Sequence, residues 1–173
     1  DLFVGWTANG NTISTDNPLT FTVTKDSTIV AIFSKAWYEI ACSTGQNLSY
    51  EINFSSNTAS VGGDENRTTC VGSVQIPSSI DINGATYLVD SIRQMGFSFA
   101  HELTTILIPN SITKVGYAPF FRCGSLTSIS VANNNTKYDS RDNCNAIIET
   151  ATTTLVVGCK NTIIPNTITS IGE

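Results

Sequence analysis

One phrase is written twice between residues 103 and 131, and its fixed spacing limits the fold more than any other feature. Leu103-Thr104-Thr105-Ile106-Leu107-Ile108 opens one unit, and Leu126-Thr127-Ser128-Ile129-Ser130-Val131 opens the next, 23 positions later. The same offset separates Ile92 from Val115 and Phe97 from Phe120. A unit that short cannot enclose a core of its own. It buries its apolar edge against its neighbours, which makes a stacked solenoid. Successive strand residues face opposite ways, so the apolar positions turn inward. Thr105, Leu107, Ser128 and Ser130 then face outward, joined by Ile163 of the last unit. Such outward rows form an extended concave surface, and these five residues are the candidate binding face.

A second phrase marks where each strand stops. Val74-Gln75-Ile76-Pro77-Ser78-Ser79-Ile80 returns as Leu107-Ile108-Pro109-Asn110-Ser111-Ile112 and as Ile163-Ile164-Pro165-Asn166-Thr167-Ile168. Proline donates nothing to a sheet ladder, so each one ends a strand. Two units carry insertions. Residues 81–89 contain Asn83-Gly84 between alternating apolar residues, a strong hairpin signal. Residues 132–162 displace the next proline from position 132 to 165. Within them, Ala146-Ile147-Ile148 and Leu155-Val156-Val157 read as a hairpin around Thr150–Thr153. If Glu149 pairs with Thr154, Cys144 falls opposite Cys159. That register allows a cross-strand disulfide or a pair of packed free thiols.

The preceding chain is expected to be β as well. Leu48, Tyr50, Ile52 and Phe54 alternate with polar residues, and Ser55-Ser56-Asn57 turns into Thr58–Val61. Gly62–Arg67 reads as a surface loop. Residues 36–73 are read as a β cap covering the apolar face of the first unit. Leu19, Phe21 and Val23, then Ile29, Ala31 and Phe33, suggest two strands joined by a turn at Lys25-Asp26-Ser27. Three regions follow: a small β module at 1–35, the cap at 36–73 and the solenoid at 74–173. The chain starts and stops in mid-pattern, so it reads as a piece of a longer polypeptide. At the C-terminal end, Ile164, Ile168 and Ile171 are expected to be frayed or covered by another molecule.

Composition removes some functions. Net charge is −5 and the nine Lys and Arg are scattered, which does not suit a nucleic-acid surface. Charged residues are only 13%, against about 25% in ordinary globular proteins. A surface of hydroxyls and amides suits an extracellular β-rich protein. No apolar run reaches the ~18 residues that a membrane-spanning helix needs. The five Cys include no C-x-x-C pair, so neither a zinc knuckle nor a redox motif is written here.

Residues 74–173 resemble the BspA-like leucine-rich repeats of bacterial surface proteins. The likeness rests on Ile108-Pro109-Asn110-Ser111-Ile112-Thr113-Lys114-Val115-Gly116 and on Phe120-Phe121-Arg122-Cys123-Gly124-Ser125-Leu126-Thr127-Ser128-Ile129. Tyr138-Asp139-Ser140, Asn143–Ile148 and Gly158–Thr162 look like an insertion that recurs in that family. The unit at 92–103 departs from the pattern: Arg93-Gln94-Met95-Gly96 replaces a glycine-led turn and Ala100 stands for the cysteine, so local irregularity is expected there. Gly5-Trp6, Asn17-Pro18, Thr22-Val23-Thr24 and Ala31-Ile32-Phe33 resemble the C-terminal half of an internalin-type B repeat. These resemblances imply a cell-surface or secreted protein, an adhesin contacting host matrix proteins or other microbes. The alternative is a structural spacer or recognition arm of a larger surface protein or secreted enzyme.

Catalytic chemistry finds little support. His101 stacks near Cys123 by the 23-residue register, yet a cysteine at that repeat position is ordinarily buried and inert. Asp139, Asp142 and Asn143 lack the calcium-loop spacing and read as a solvated turn. Four Asn-x-Ser/Thr sequons, at Asn47, Asn53, Asn66 and Asn134, matter only in a host that glycosylates. The expectation is a non-catalytic, mainly β, protein-binding chain with no metal or cofactor.

Overall fold

A computed structural model describes residues 2–22, 26–34 and 36–172. The fold is mainly β, with sixteen strands and one helical turn of α type among the described residues. Strands β1 (Leu2–Ala8), β2 (Asn11–Ser14) and β3 (Ile29–Ser34) make a small antiparallel sheet in the order β2-β1-β3. The strand expected from Leu19 to Val23 does not form over residues 19–22. Both edges of β1 are already taken, by β2 and β3. Position 23 and the start of the expected turn lie outside the described residues.

The segment expected to act as a cap contains β4 (Ala36–Ala41), β5 (Asn47–Asn53) and β6 (Thr58–Val61). Strands β5 and β6 form the expected hairpin, with Asn53 opposite Thr58. The Asn53 side chain holds the turn, accepting from Ser55 N at 3.1 Å and Ser55 Oγ at 2.7 Å. This sheet continues past the hairpin. β6 pairs in parallel with β9 (Ala85–Ile92), and β9 pairs in parallel with β11 (Lys114–Val115) at the 23-residue offset, Ile92 against Val115. β8 (Ser79–Ile82) folds back on β9 across Asn83 and Gly84, whose φ values of 50° and 83° match the primed turn that Asn-Gly favours.

Two local readings need correction. Gly62–Arg67 is only partly a surface loop. Gly62 and Asn66 are buried, and Asn66 begins the short helix α1 (Asn66–Thr69). Its side chain replaces lost solvent contacts, accepting from Ser49 N at 3.0 Å and donating to Gly96 O at 3.2 Å. At 0% exposure Asn66 is also unusable as a glycan acceptor. The unit at 92–103 is regular. Met95, Phe97 and Phe99 donate in turn to Tyr117, Pro119 and Phe121, and Met95 and Phe99 repeat the positive φ of Ala118 and Arg122, 23 residues on. Backbone conformation survives there although the residue types change.

A second sheet holds β7 (Gly72–Gln75), β10 (Leu103–Ile108) and β12 (Ser128–Val131), all parallel, with β10 in the middle. The C-terminal sheet runs β13 (Tyr138–Asp139), β14 (Ala146–Glu149), β15 (Thr154–Gly158) and β16 (Ser170–Ile171). One contiguous core runs from Leu48, Tyr50 and Val61 through Val74, Ile106 and Ile129 to Ile147. At the far end Ile168 packs beside Cys144, Ala146, Ile148 and Leu155, while Ile164 and Ile171 stay 53% and 64% exposed.

Glu149 does pair with Thr154, but a bulge follows. Ile148 sits opposite Leu155 and Ile147 opposite Val157, so Val156 is the extra residue. The bulge removes the alignment that would set Cys144 against Cys159, and all five cysteines are free thiols. Cys159 Sγ instead donates to Asn145 O at 3.3 Å. Burial pushes the Cys70 thiol up to about 12, and burial raises Cys123 and Cys144 as well. At neutral pH these three remain protonated and poorly nucleophilic. Ellman titration should therefore find five thiols after unfolding without reductant, with Cys70 and Cys144 silent in the native chain. Three thiols after unfolding would mean that a disulfide had formed.

Asp139 is engaged by protein groups. It accepts from Arg141 Nε at 2.8 Å and Thr150 Oγ1 at 3.0 Å. The Arg141 hydrogen bond holds its carboxyl below the usual carboxylate range. A depressed folded-state pKa adds stability that is present above the unfolded value of about 3.9 and lost as pH falls through the folded value. Asp139→Asn should lower the melting temperature by a few degrees at pH 7. The gap to the parent should close as pH drops below that window, and a gap constant with pH would contradict the assignment.

Candidate protein-binding face

The sheet β7-β10-β12 has one face in the core and one toward solvent. Val74, Ile106 and Ile129 form an inward row with exposures of 0%, 0% and 1%. Alternation then turns the residues between them outward. Ser73, Thr105 and Ser128 make one outward row, and Gln75, Leu107 and Ser130 the next, by the observed register. Four of the five residues expected on this face thus stand side by side. Thr105, Leu107, Ser128 and Ser130 are half-buried, and Ser73 and Gln75 are exposed.

Ile163 does not join them. It lies outside any strand, 71% exposed, and its N–H donates to Cys144 O at 3.0 Å. The chain does approach β12 at Lys160, whose N–H donates to Leu126 O at 3.1 Å, and then turns away toward the hairpin insertion. Sequence reasoning missed Ser73 and Gln75. The signal for Gln75 was there, since Val74-Gln75-Ile76-Pro77 aligns with Ile106-Leu107-Ile108-Pro109.

Both edges of this sheet are covered, which removes the usual hazard of open strand pairing. Beside β7, Gln46 Nε2 donates to Val71 O at 2.8 Å and Ser73 O at 3.1 Å, and Thr44 Oγ1 accepts from Gln75 N at 3.3 Å. Beside β12, Ser140 Oγ accepts from Val131 N at 3.0 Å. The outward rows carry no charge, only hydroxyls, one amide and a central leucine. Contact by shape and hydrogen bonding suits such a surface, and charge recognition does not.

The other sequence candidates are separately occupied. Cys123 Sγ donates to Phe97 O at 3.0 Å, and His101 packs edge-on against Phe99 at 6.1 Å between ring centroids. No helix among the described residues is long and apolar enough to cross a membrane.

No family model matches the chain, and no curated protein matches it. Solved structures do. The chain is similar to a leucine-rich cell surface protein from Faecalibacterium prausnitzii A2-165, with 24% identity, 59% of this chain and 25% of that one covered, and a TM-score of 0.43. It is similar to a leucine-rich repeat protein from Bacteroides capillosus, with 25% identity, coverage of 49% and 61%, and a TM-score of 0.40. A leucine-rich repeat protein from Bacteroides ovatus gives 22% identity, coverage of 50% and 22%, and a TM-score of 0.42. The structural neighbours are bacterial leucine-rich repeat proteins, and this chain spans about a quarter of the first.

Proposed function

We propose that the chain is a non-catalytic protein-binding module displayed on a bacterial surface or secreted, an adhesin contacting host matrix proteins or other microbes. Its repeat region is a solenoid of 23-residue units with insertions at 81–89 and 132–162, capped by residues 36–73. Residues 1–35 belong to a separate β module. One observation carries the functional reading: an uncharged outward face assembled from three parallel strands, whose edges are closed so that the face itself is what remains to be used. Leu107 at its centre is the anchor, since apolar residues ringed by polar ones dominate many protein interfaces.

The test is binding of the purified chain to immobilised fibronectin, fibrinogen and mucin at physiological salt, beside Leu107→Asp. Saturable binding that the substitution weakens at least tenfold is expected for a central contact, roughly 1.4 kcal/mol or more. Binding that survives it removes the function from this face. No binding to any of the three favours a spacer or recognition arm of a larger protein.

A further inference from the structure

A second recessed surface lies in the other sheet and shares no residue with the face on β7, β10 and β12. We infer that the cleft between Trp37 and the loop at residues 62–65 is a binding site for a neutral sugar unit of a glycan. Its volume is about 490 Å³, within the range of small-molecule sites.

The floor is glycine backbone. A Cβ on Gly62 would come within 2.5 Å of Gly96 Cα, and one on Gly63 within 2.8 Å of Ser49 Cβ and 3.2 Å of the Trp37 ring. A Cβ at Gly62 would push on backbone beneath the cleft, and one at Gly63 would push on Ser49 and the Trp37 ring. Hydrogen bonds fix this floor: Gly62 N donates to Ser49 O at 2.8 Å, and Gly63 N to Gly96 O at 3.0 Å. The buried Asn66 ties the same two strands of backbone together. The cleft is therefore formed before any ligand arrives, which lowers the entropy lost on binding.

One wall is an aromatic plate. Trp37 projects from the outermost strand of its sheet and keeps 47% of its surface exposed. The Arg93 guanidinium lies 4.5 Å from the ring centroid and pairs with Glu51, so the indole is held from one side. Glu39, Asp64 and Glu65 stand on the exposed rim, with Gln94 beside them.

Charge and shape then choose the guest. Arg93 lines the same cleft over part of the ring, so a second cation would meet its charge there. The exposed part of Trp37 is left for an uncharged C–H face. An anion would meet Glu39 and Glu65, beside an Asp64 that is ion-paired with Arg67. A neutral guest with one flat C–H face and many hydroxyl donors satisfies both walls. Its apolar face covers the indole, and its hydroxyls donate to the carboxylates. A pyranose has that chemistry.

The experiment uses the full chain carrying Trp6→Phe, so that Trp37 is the remaining one of the two tryptophans. Chitotriose, mannotriose and maltotriose are titrated while Trp37 emission is followed, with trilysine and trigalacturonate as the charged probes. At least one neutral trisaccharide should give a saturable change. By calorimetry Trp37→Ala should weaken it about tenfold, and Glu39→Gln about threefold with an unchanged melting curve. The inference is overturned by tighter binding of either charged probe. Failure of every trisaccharide up to about 10 mM, a limit well above useful affinities, overturns it too. So does sugar binding indifferent to both substitutions.

Discussion

Gly62→Ala should be among the most damaging single methyls that can be added to this chain. Gly62 has φ +125°, a region that L side chains rarely adopt, and its Cβ would sit 2.5 Å from Gly96 Cα and 3.1 Å from Gly96 C. Both neighbours are backbone, so neither can rotate aside. Conformational strain of about 1–3 kcal/mol adds to an overpacking cost of about 1–3 kcal/mol, for a loss near 4 kcal/mol. At this chain length that is a fall of about 8–16 °C in melting temperature. Gly124→Ala is the control, since its Cβ would meet nothing within 4 Å. Urea unfolding of the two variants checks the prediction. Equal midpoints would show that residues 62 and 96 do not touch.

Ile106→Ala should come next. Ile106 is 0% exposed, in the middle strand, flanked by Val74 in β7 and Ile129 in β12. Truncation removes three carbons and leaves a cavity between two layers that are themselves hydrogen-bonded in place. The loss should be about 3–4 kcal/mol, in the middle of the range for buried Ile-to-Ala changes. Ile164→Ala, at a site 53% exposed, should stay within about 0.5 kcal/mol. Guanidinium unfolding of both separates a tightly packed row from a loose one. A loss below about 1 kcal/mol for Ile106→Ala would mean that the row Val74–Ile106–Ile129 is not the core.

Periodicity made the mainly β class legible, together with the outward orientation of Thr105, Leu107, Ser128 and Ser130. Alternation is a local signal, and Leu103–Ile108 and Ser128–Val131 carry it cleanly. The two hairpins at Asn57 and Asn83-Gly84 were equally local, because each turn's chemistry lies within its own few residues. What could not be read depended on distant partners. Gly62-Gly63-Asp64-Glu65-Asn66 has loop composition, and only contact with Gly96 and Ser49 buries Gly62 and Asn66. Trp37 and Arg93 are 56 positions apart in sequence, so the cleft had no local sign. The bulge at Val156 shifts the register by one residue, enough to separate Cys144 from Cys159, and nothing in Leu155-Val156-Val157 announces it. Ile163 was assigned by homology of phrase to Leu107, and the insertion before it takes that segment to a different neighbour.

The register of β7, β10 and β12 underlies everything proposed for the binding face. A slip of one residue would turn Leu107 inward and Ile106 outward. Methyl-resolved nuclear Overhauser spectroscopy on the intact chain reads that register directly. Contacts are expected from Ile106 to both Val74 and Ile129, and from Ile108 to Val131, with Leu107 outside this network. Contacts joining Leu107 to Val74 or Ile129 would contradict it, and would remove the face along with the register.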